Sequence, residues 1–186
     1  VAKADGEVIF ISDTVPGDRV TAKIIKVASN YAVGKVEKQI LSSDKRAERC
    51  KNRLCKACAY KNITYAHEAE LKEEAVRQIF KKAGLPEVEI GKIIVSPDTC
   101  AYRNKAQYPI QMDKNGEYVI GFYAPKSHRV TEARACPLAP EIFPEILDTL
   151  SEIFKRHALT VYDEESGKGL LRHLYLRSTS AGEVMV

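Results

Sequence analysis

Apolar positions along the chain switch between strand and helix periods, and the switches divide it. Val8 to Ile11 is a short continuous apolar run that ends before a turn at Pro16-Gly17. Val20 to Val27 and Tyr31 to Ile40 are β-branched stretches separated by Ser29-Asn30. Closely spaced short strands with turn punctuation predict a small β-barrel over residues 1–42. From Glu68 to Ala83 the spacing becomes helical, with Leu71, Ala75, Val76, Ile79, Phe80 and Ala83 on one side. Gly84 and Pro86 follow, as expected past a helix C-terminus. The apolar triplet Ile93-Ile94-Val95 and a run from Tyr102 to Gln111 come next. A turn at Asp113-Lys114-Asn115-Gly116 then leads into Tyr118 to Tyr123, and Asn-Gly between two such runs is a hairpin signal. Pro140 to His157 reads as a second amphipathic helix, with Ile142, Ile146, Leu147, Leu150, Ile153 and Phe154 on one side. Leu170 to Arg177 reads as a strand, Ser178 to Gly182 as a turn, and Glu183 to Val186 as the start of a returning strand. The predicted class is α+β: a barrel (1–42), a cysteine-rich linker (43–63) and a mixed α/β region (64–186). The chain opens on Val1 rather than methionine and stops within a strand. An unfinished apolar strand leaves unpaired backbone, so the expectation is a fragment of a longer protein, with the barrel missing its first strand.

Charge sharpens this division. The net charge is +4, yet residues 19–61 carry +9 and the remainder −5. A basic first third points to a polyanion partner, nucleic acid being the commonest. No apolar run reaches the ~20 residues of a membrane span, and no signal peptide is evident. The expected location is the cytoplasm.

The cysteines carry the most specific chemistry. There are five, an odd number, in a chain longer than small disulfide-dependent domains. Cys50, Cys55 and Cys58 form C-x4-C-x2-C, and Cys136 in Ala-Cys-Pro-Leu is a remote partner. Polarisable thiolates bind soft metals, so four of them suit an iron–sulfur cluster or tetrahedral zinc. Cys100 has no near partner and reads as structural. His67, His157 and His173 lack ligand spacing and read as structural too.

The ordered motifs resemble a known family. Val1-Ala-Lys-Ala-Asp-Gly-Glu-Val-Ile-Phe-Ile11 followed by Val15-Pro-Gly-Asp-Arg-Val20 is similar to a TRAM domain, a small OB-type barrel that binds RNA. The cysteine triplet, Tyr102-Arg103-Asn104-Lys105-Ala106, Gly121-Phe122-Tyr123, Cys136-Pro137-Leu138-Ala139-Pro140 and Gly167-Lys168-Gly169-Leu170-Leu171-Arg172-His173 occur in the order seen in bacterial 23S rRNA uracil-5-methyltransferases. The resemblance spans nearly the whole chain. It implies a 4Fe-4S cluster on Cys50, Cys55, Cys58 and Cys136, and 23S rRNA as partner. The first cysteine gap is x4 where the family has x5, and Lys56-Ala57 stands for a Gly-Gly pair. The x4 spacing also resembles plant-type ferredoxins, which hold 2Fe-2S, so an electron carrier is a competing reading. A stand-alone, non-catalytic iron–sulfur RNA-binding module is another.

Uracil C5 methylation needs a nucleophile that adds at C6, a methyl donor, and a base that removes the C5 proton. In the family these are a cysteine, S-adenosylmethionine and a carboxylate, on a Rossmann-like domain C-terminal to the region resembled here. The resemblance therefore places no catalytic residue within these 186 positions and implies that they alone transfer no methyl group. Substrate handling remains. Unpaired RNA bases are recognised on aromatic and guanidinium planes, and a base modified at C5 must leave its stack. The candidates are Arg103, Lys105, Tyr123, Lys126 and His128.

Overall fold

The computed structural model describes residues 1–48, 50–52, 54–55 and 57–186. Arg49 and Arg53 of the basic stretch, and Lys56 between the second and third cysteines, lie outside the described residues. The chain forms two compact units, residues 1–49 with 60–95, and residues 50–59 with 96–186. This division by contact cuts across the sequence segments: the cysteine segment belongs to the second unit, and the first helix to the first.

In the first unit, β1 (Ala2–Ala4), β2 (Glu7–Ile11), β3 (Arg19–Val27) and β4 (Ala32–Leu41) form one sheet in the order β1-β2-β4-β3. β2 runs parallel to β4, with Ile11 opposite Gly34, and the other pairs are antiparallel. Gly34 is buried, and a Cβ there would meet the Ile11 side chain at 3.3 Å. Three register shifts interrupt β3 against β4, and bulges of this kind increase local twist. The expected closed barrel is not formed. Among the described residues the sheet is open, with β1 and β3 as edges. Closure requires the edge strands to pair around the circumference, and a three-residue β1 offers too little edge. Apolar side chains of β3 stay at the surface, including Ile25 at 60% and Val27 at 77% exposure.

Asp18 gathers this unit's loops. Its carboxylate accepts the Val15 and Ser43 backbone N–H groups at 2.8 and 3.0 Å and pairs with the Arg46 guanidinium, which also donates to the Asp13 carbonyl at 3.0 Å. The Asp18 side chain is only 1% exposed. Burial alone would raise its pKa, but the Arg46, Ser43 and Val15 hydrogen bonds and the Arg46 charge outweigh burial and hold it at about 2.

α1 (Tyr65–Lys82) starts before the expected Glu68 because the Thr64 hydroxyl caps it, accepting the His67 N–H at 3.4 Å. It ends at Gly84, whose φ of +76° favours glycine. Of its expected apolar stripe, Val76 and Ile79 are exposed; His67 and Ala69 are the buried positions. Ile93 to Val95 form no strand and Ile94 is fully exposed.

The second unit contains β5 (Lys105–Met112), β6 (Tyr118–Tyr123), β7 (Val130–Glu132), α2 (Ile142–Arg156), β8 (His173–Ser178) and β9 (Val184–Met185), with the antiparallel sheet ordered β7-β6-β5-β8-β9. The Asp113 carboxylate accepts the Asn115 and Glu117 N–H groups at the expected hairpin. One sheet face meets α2 in a core of Tyr108, Ile110, Tyr118, Ile120, Phe143, Leu147, Phe154, Leu174 and Leu176. Of the expected α2 face, Ile146, Leu147, Leu150 and Phe154 pack on this core together with Phe143, while Ile142 and Ile153 at its edge are exposed. The Tyr118 hydroxyl donates to the Leu159 carbonyl at 2.6 Å, fixing β6 to the end of α2. The expected returning strand is β9, pairing Met185 with Arg177.

Two substitutions test this account. At Gly121 a Cβ would stand 1.8 Å from the Thr131 carbonyl oxygen on β7. Since backbone cannot yield as a side chain does, Gly121→Ala is expected to cost about 3 kcal/mol or more by urea unfolding. For Asp18 the folded pKa lies below the ordinary 3.8. Its stabilisation is thus complete above pH 4 and is lost as pH falls toward 2. Asp18→Asn should remove about 2 kcal/mol near neutrality and flatten the decline in stability between pH 4 and 2.

Candidate functional site

Cys50, Cys55 and Cys58 share a unit with Cys136. Asn52 organises the first of these segments. Its side-chain oxygen accepts the Leu54 and Cys55 N–H groups at 3.1 and 2.9 Å, tightening the loop around the second cysteine. Its side-chain nitrogen donates to the Glu132 carbonyl at 2.7 Å and the Thr131 hydroxyl at 3.3 Å. One amide thus ties the cysteine loop to β7, four residues before Cys136.

The Cys136 turn is held independently. Its N–H donates to the Ala133 carbonyl at 2.9 Å. Arg134 pairs with Glu132 and Asp148 and donates to the Ser151 hydroxyl at 2.7 Å, fastening the turn to α2. The Ala101 and Arg103 N–H groups donate to the Pro137 and Leu138 carbonyls at 2.9 and 3.0 Å, laying the Arg103 segment beside it.

Cys55 is buried, Cys50, Cys58 and Cys136 are half-buried, and Cys100 is exposed rather than sequestered as a structural thiol. Burial pushes the Cys58 thiol up, the Arg103 charge opposes this, and Cys136, Cys55 and Cys50 push it further up. The four expected ligands therefore lie in one electrostatic neighbourhood, with a guanidinium among them. Among the described residues no group of three or more His, Cys, Asp or Glu converges on a single-ion site. Beneath them Tyr108 is pushed up to about 12, mainly by burial and also by Cys136, against the lowering effect of Arg103.

The five residues expected at an RNA surface separate into three places. Tyr123, Lys126 and His128 come together on the β6–β7 hairpin, where the Tyr123 and His128 rings meet edge-on at 6.1 Å and Lys126 takes a left-handed φ of +53°. Lys105 begins β5, with its ammonium 5.8 Å from the Tyr175 ring centre. Arg103 sits by the cysteines.

The first unit carries a basic sheet surface. Lys23 and Lys35 lie directly opposite each other across β3 and β4, both exposed, and Lys38 faces Thr21. Like charges in direct register destabilise a sheet. Phe10, 46% exposed, meets Tyr31 edge-on at 5.5 Å. Asn52, Phe10 and Tyr175 were not singled out by sequence reasoning. The Asx-turn pattern Asn52-x-x-Cys55 is the one local signal among them.

Breaking the Asn52 tether should separate the cysteine loop from β7. Asn52→Ala is expected to cost about 1–3 kcal/mol and to raise thiol reactivity at Cys55, and Asn52→Asp, which keeps the loop acceptor but loses both donors, should raise the same reactivity; labelling at Cys55 unchanged in both variants would contradict the tether.

With this geometry in place, comparison with known proteins adds ancestry. Residues 1–36 match the TRAM domain family. The chain is 34% identical over 176 residues to a protein of Gloeobacter violaceus described as an uncharacterized RNA methyltransferase, covering 93% of this chain and 38% of that protein. It is 32% identical over 189 residues to one so described in Clostridium tetani, covering 100% of this chain and 41% of the relative. It shares its fold with the crystal structure of Pyrococcus abyssi tRNA (uracil-54, C5)-methyltransferase in complex with S-adenosyl-L-homocysteine, at a TM-score of 0.73, 21% identity, 95% coverage of this chain and 40% of that one. The chain spans about two fifths of the length of the curated relatives it matches. No helix among the described residues is long and apolar enough to cross a membrane. The chain thus carries a TRAM domain in its first 36 residues and is homologous along its length to part of a set of proteins named RNA methyltransferases.

Proposed function

We propose that residues 1–186 are the RNA-recognition and iron–sulfur portion of an RNA methyltransferase that forms 5-methyluridine, with 23S rRNA as substrate. Homology over the full chain to proteins named RNA methyltransferases is the observation that carries this reading. The methyl group comes from S-adenosylmethionine, bound by the part of the relatives that these residues do not span. This chain alone transfers none.

Its own residues bind and position. Lys23, Lys35 and Lys38 supply phosphate contacts whose mutual repulsion is relieved by a polyanion, and Phe10 adds an exposed ring for an unpaired base. Tyr123, Lys126 and His128 form a second contact point on their hairpin. Cys50, Cys55, Cys58 and Cys136 would hold a 4Fe-4S cluster. The donor chemistry fits, with four unbridged thiols influencing one another and an Arg103 charge that offsets developing thiolates. A cluster is wider than one ion, so its thiolates need not converge as closely as zinc ligands, which sit about 2.3 Å from the metal. It acts as a staple between chain segments far apart in sequence, since uracil methylation requires no electron transfer.

Nucleoside mass spectrometry of 23S rRNA and tRNA from cells with the gene deleted tests the activity. Loss of one 5-methyluridine from 23S rRNA is expected. Loss from tRNA alone would correct the substrate, and no loss from either would end the methyltransferase reading. Anaerobically purified 186-residue chain should carry about four irons and a visible cluster absorbance that Cys136→Ser abolishes. Two irons with reversible redox cycling and no RNA binding would favour the electron carrier.

A further inference from the structure

The sheet of the second unit has a core face and an opposite face, and on β5 and β8 the opposite face carries exposed cationic and amide side chains, with Pro109 buried at one end. Along β5 and β8, Ala106, Tyr108, Leu174 and Leu176 point to the core. The alternate positions Lys105, Gln107, His173 and Arg177 are exposed and Tyr175 is half-buried. The register aligns them in pairs, Lys105 opposite Arg177, Gln107 opposite Tyr175, and Pro109 opposite His173. Next to Arg177 on β9 stands Met185, 54% exposed. His173 is therefore a surface residue, not the structural one its spacing suggested.

Neither β5 nor β8 contains an acidic residue. Lys105 and Arg177 face each other with like charge, and neither has a carboxylate partner among the described residues. Such a pair opposes sheet formation and gains from an anion placed between its members. The Lys105 ammonium lies 5.8 Å from the Tyr175 ring centre, so a solvent-exposed group reaches the face of that ring. A cation–π contact at an exposed site is weak and is readily exchanged for a stacked base.

We propose that this face binds one unpaired RNA nucleotide, its base stacked on Tyr175, its edge hydrogen-bonded by Gln107, and its phosphate held between Lys105 and Arg177. The chemistry favours single-stranded RNA, because an aromatic platform flanked by cations serves a base that has left its helix. A duplex offers phosphates but no free base face. The proposal rests on the RNA-binding reading above and adds a subsite to it.

The test is fluorescence anisotropy with the 186-residue chain and two labelled RNAs, an unstructured oligonucleotide of about ten nucleotides and a perfect duplex, the length being set by the site sizes typical of such surfaces. Tyr175→Leu is expected to weaken single-strand binding roughly 5- to 100-fold, to leave duplex binding and the salt slope unchanged, and to be rescued by Phe at the same position. Lys105→Ala with Arg177→Ala should reduce the slope of log affinity against log salt by about 0.7 per lost phosphate contact on single strands. These positions lie outside the core, and a thermal midpoint that the substitutions do not lower checks the fold. Single-strand affinity untouched by Tyr175→Leu, or an equal loss on both RNAs, overturns the platform while leaving RNA binding intact. Failure of the unsubstituted chain to bind either RNA overturns both readings together.

Discussion

The side chain of Asn52 is the constraint on which the candidate site depends. A primary amide carries two donor hydrogens and an acceptor oxygen with two lone pairs, and here both ends are used. The oxygen closes the loop around Cys55, and the nitrogen reaches the Glu132 carbonyl and Thr131 hydroxyl. The three clustered cysteines and Cys136 are thereby referred to one strand end. Arg134 then fixes that strand end to α2, so the thiols inherit the rigidity of a packed helix and sheet. The polar interactions on the loop side and the helix side meet at β7, a strand of only three residues.

Each sheet shows the same departure from optimal stability. Lys23 faces Lys35 in one, and Lys105 faces Arg177 in the other. A sheet selected for stability alone would place opposite charges at such positions. Repeated like-charge register, with an exposed ring at Phe10 and a half-buried one at Tyr175 nearby, is economical when a polyanion with stackable bases supplies the missing countercharge. The opposite arrangement appears where binding is not at issue. On α1, Glu68 with Lys72 and Glu73 with Arg77 are conventional stabilising pairs. Asp18 with Arg46 is another, and the Val15 and Ser43 N–H groups help it overcome the cost of burial.

Much of the architecture was legible in the pattern of residues. The strand runs, the Asn115-Gly116 hairpin, both helices and the returning strand at Val184 stand where alternation, helical spacing and turn chemistry put them. These signals are local, arising within a few residues of backbone. Closure of the first sheet is not legible locally, because it depends on edge-to-edge pairing across the whole sheet, and short apolar strands look alike in a barrel and in an open sheet. The place of Phe143 at the centre of the α2 contact, with Ile142 and Ile153 at its exposed edge, has a related reason. The apolar face of that helix is broad, and the sheet it packs against decides which of its positions are fully covered.

By itself, then, the sequence determined the elements, the cysteine pattern and the basic first third, since each is a property of residue type and spacing. It also named Arg103 and Lys105 together. Only the tertiary structure separated them, sending Arg103 to the thiols and Lys105 to the open face beside Tyr175. Strand register and the loop-to-strand bond from Asn52 set those places. Both join positions remote in the chain, and no local pattern encodes which remote partner a backbone group will meet.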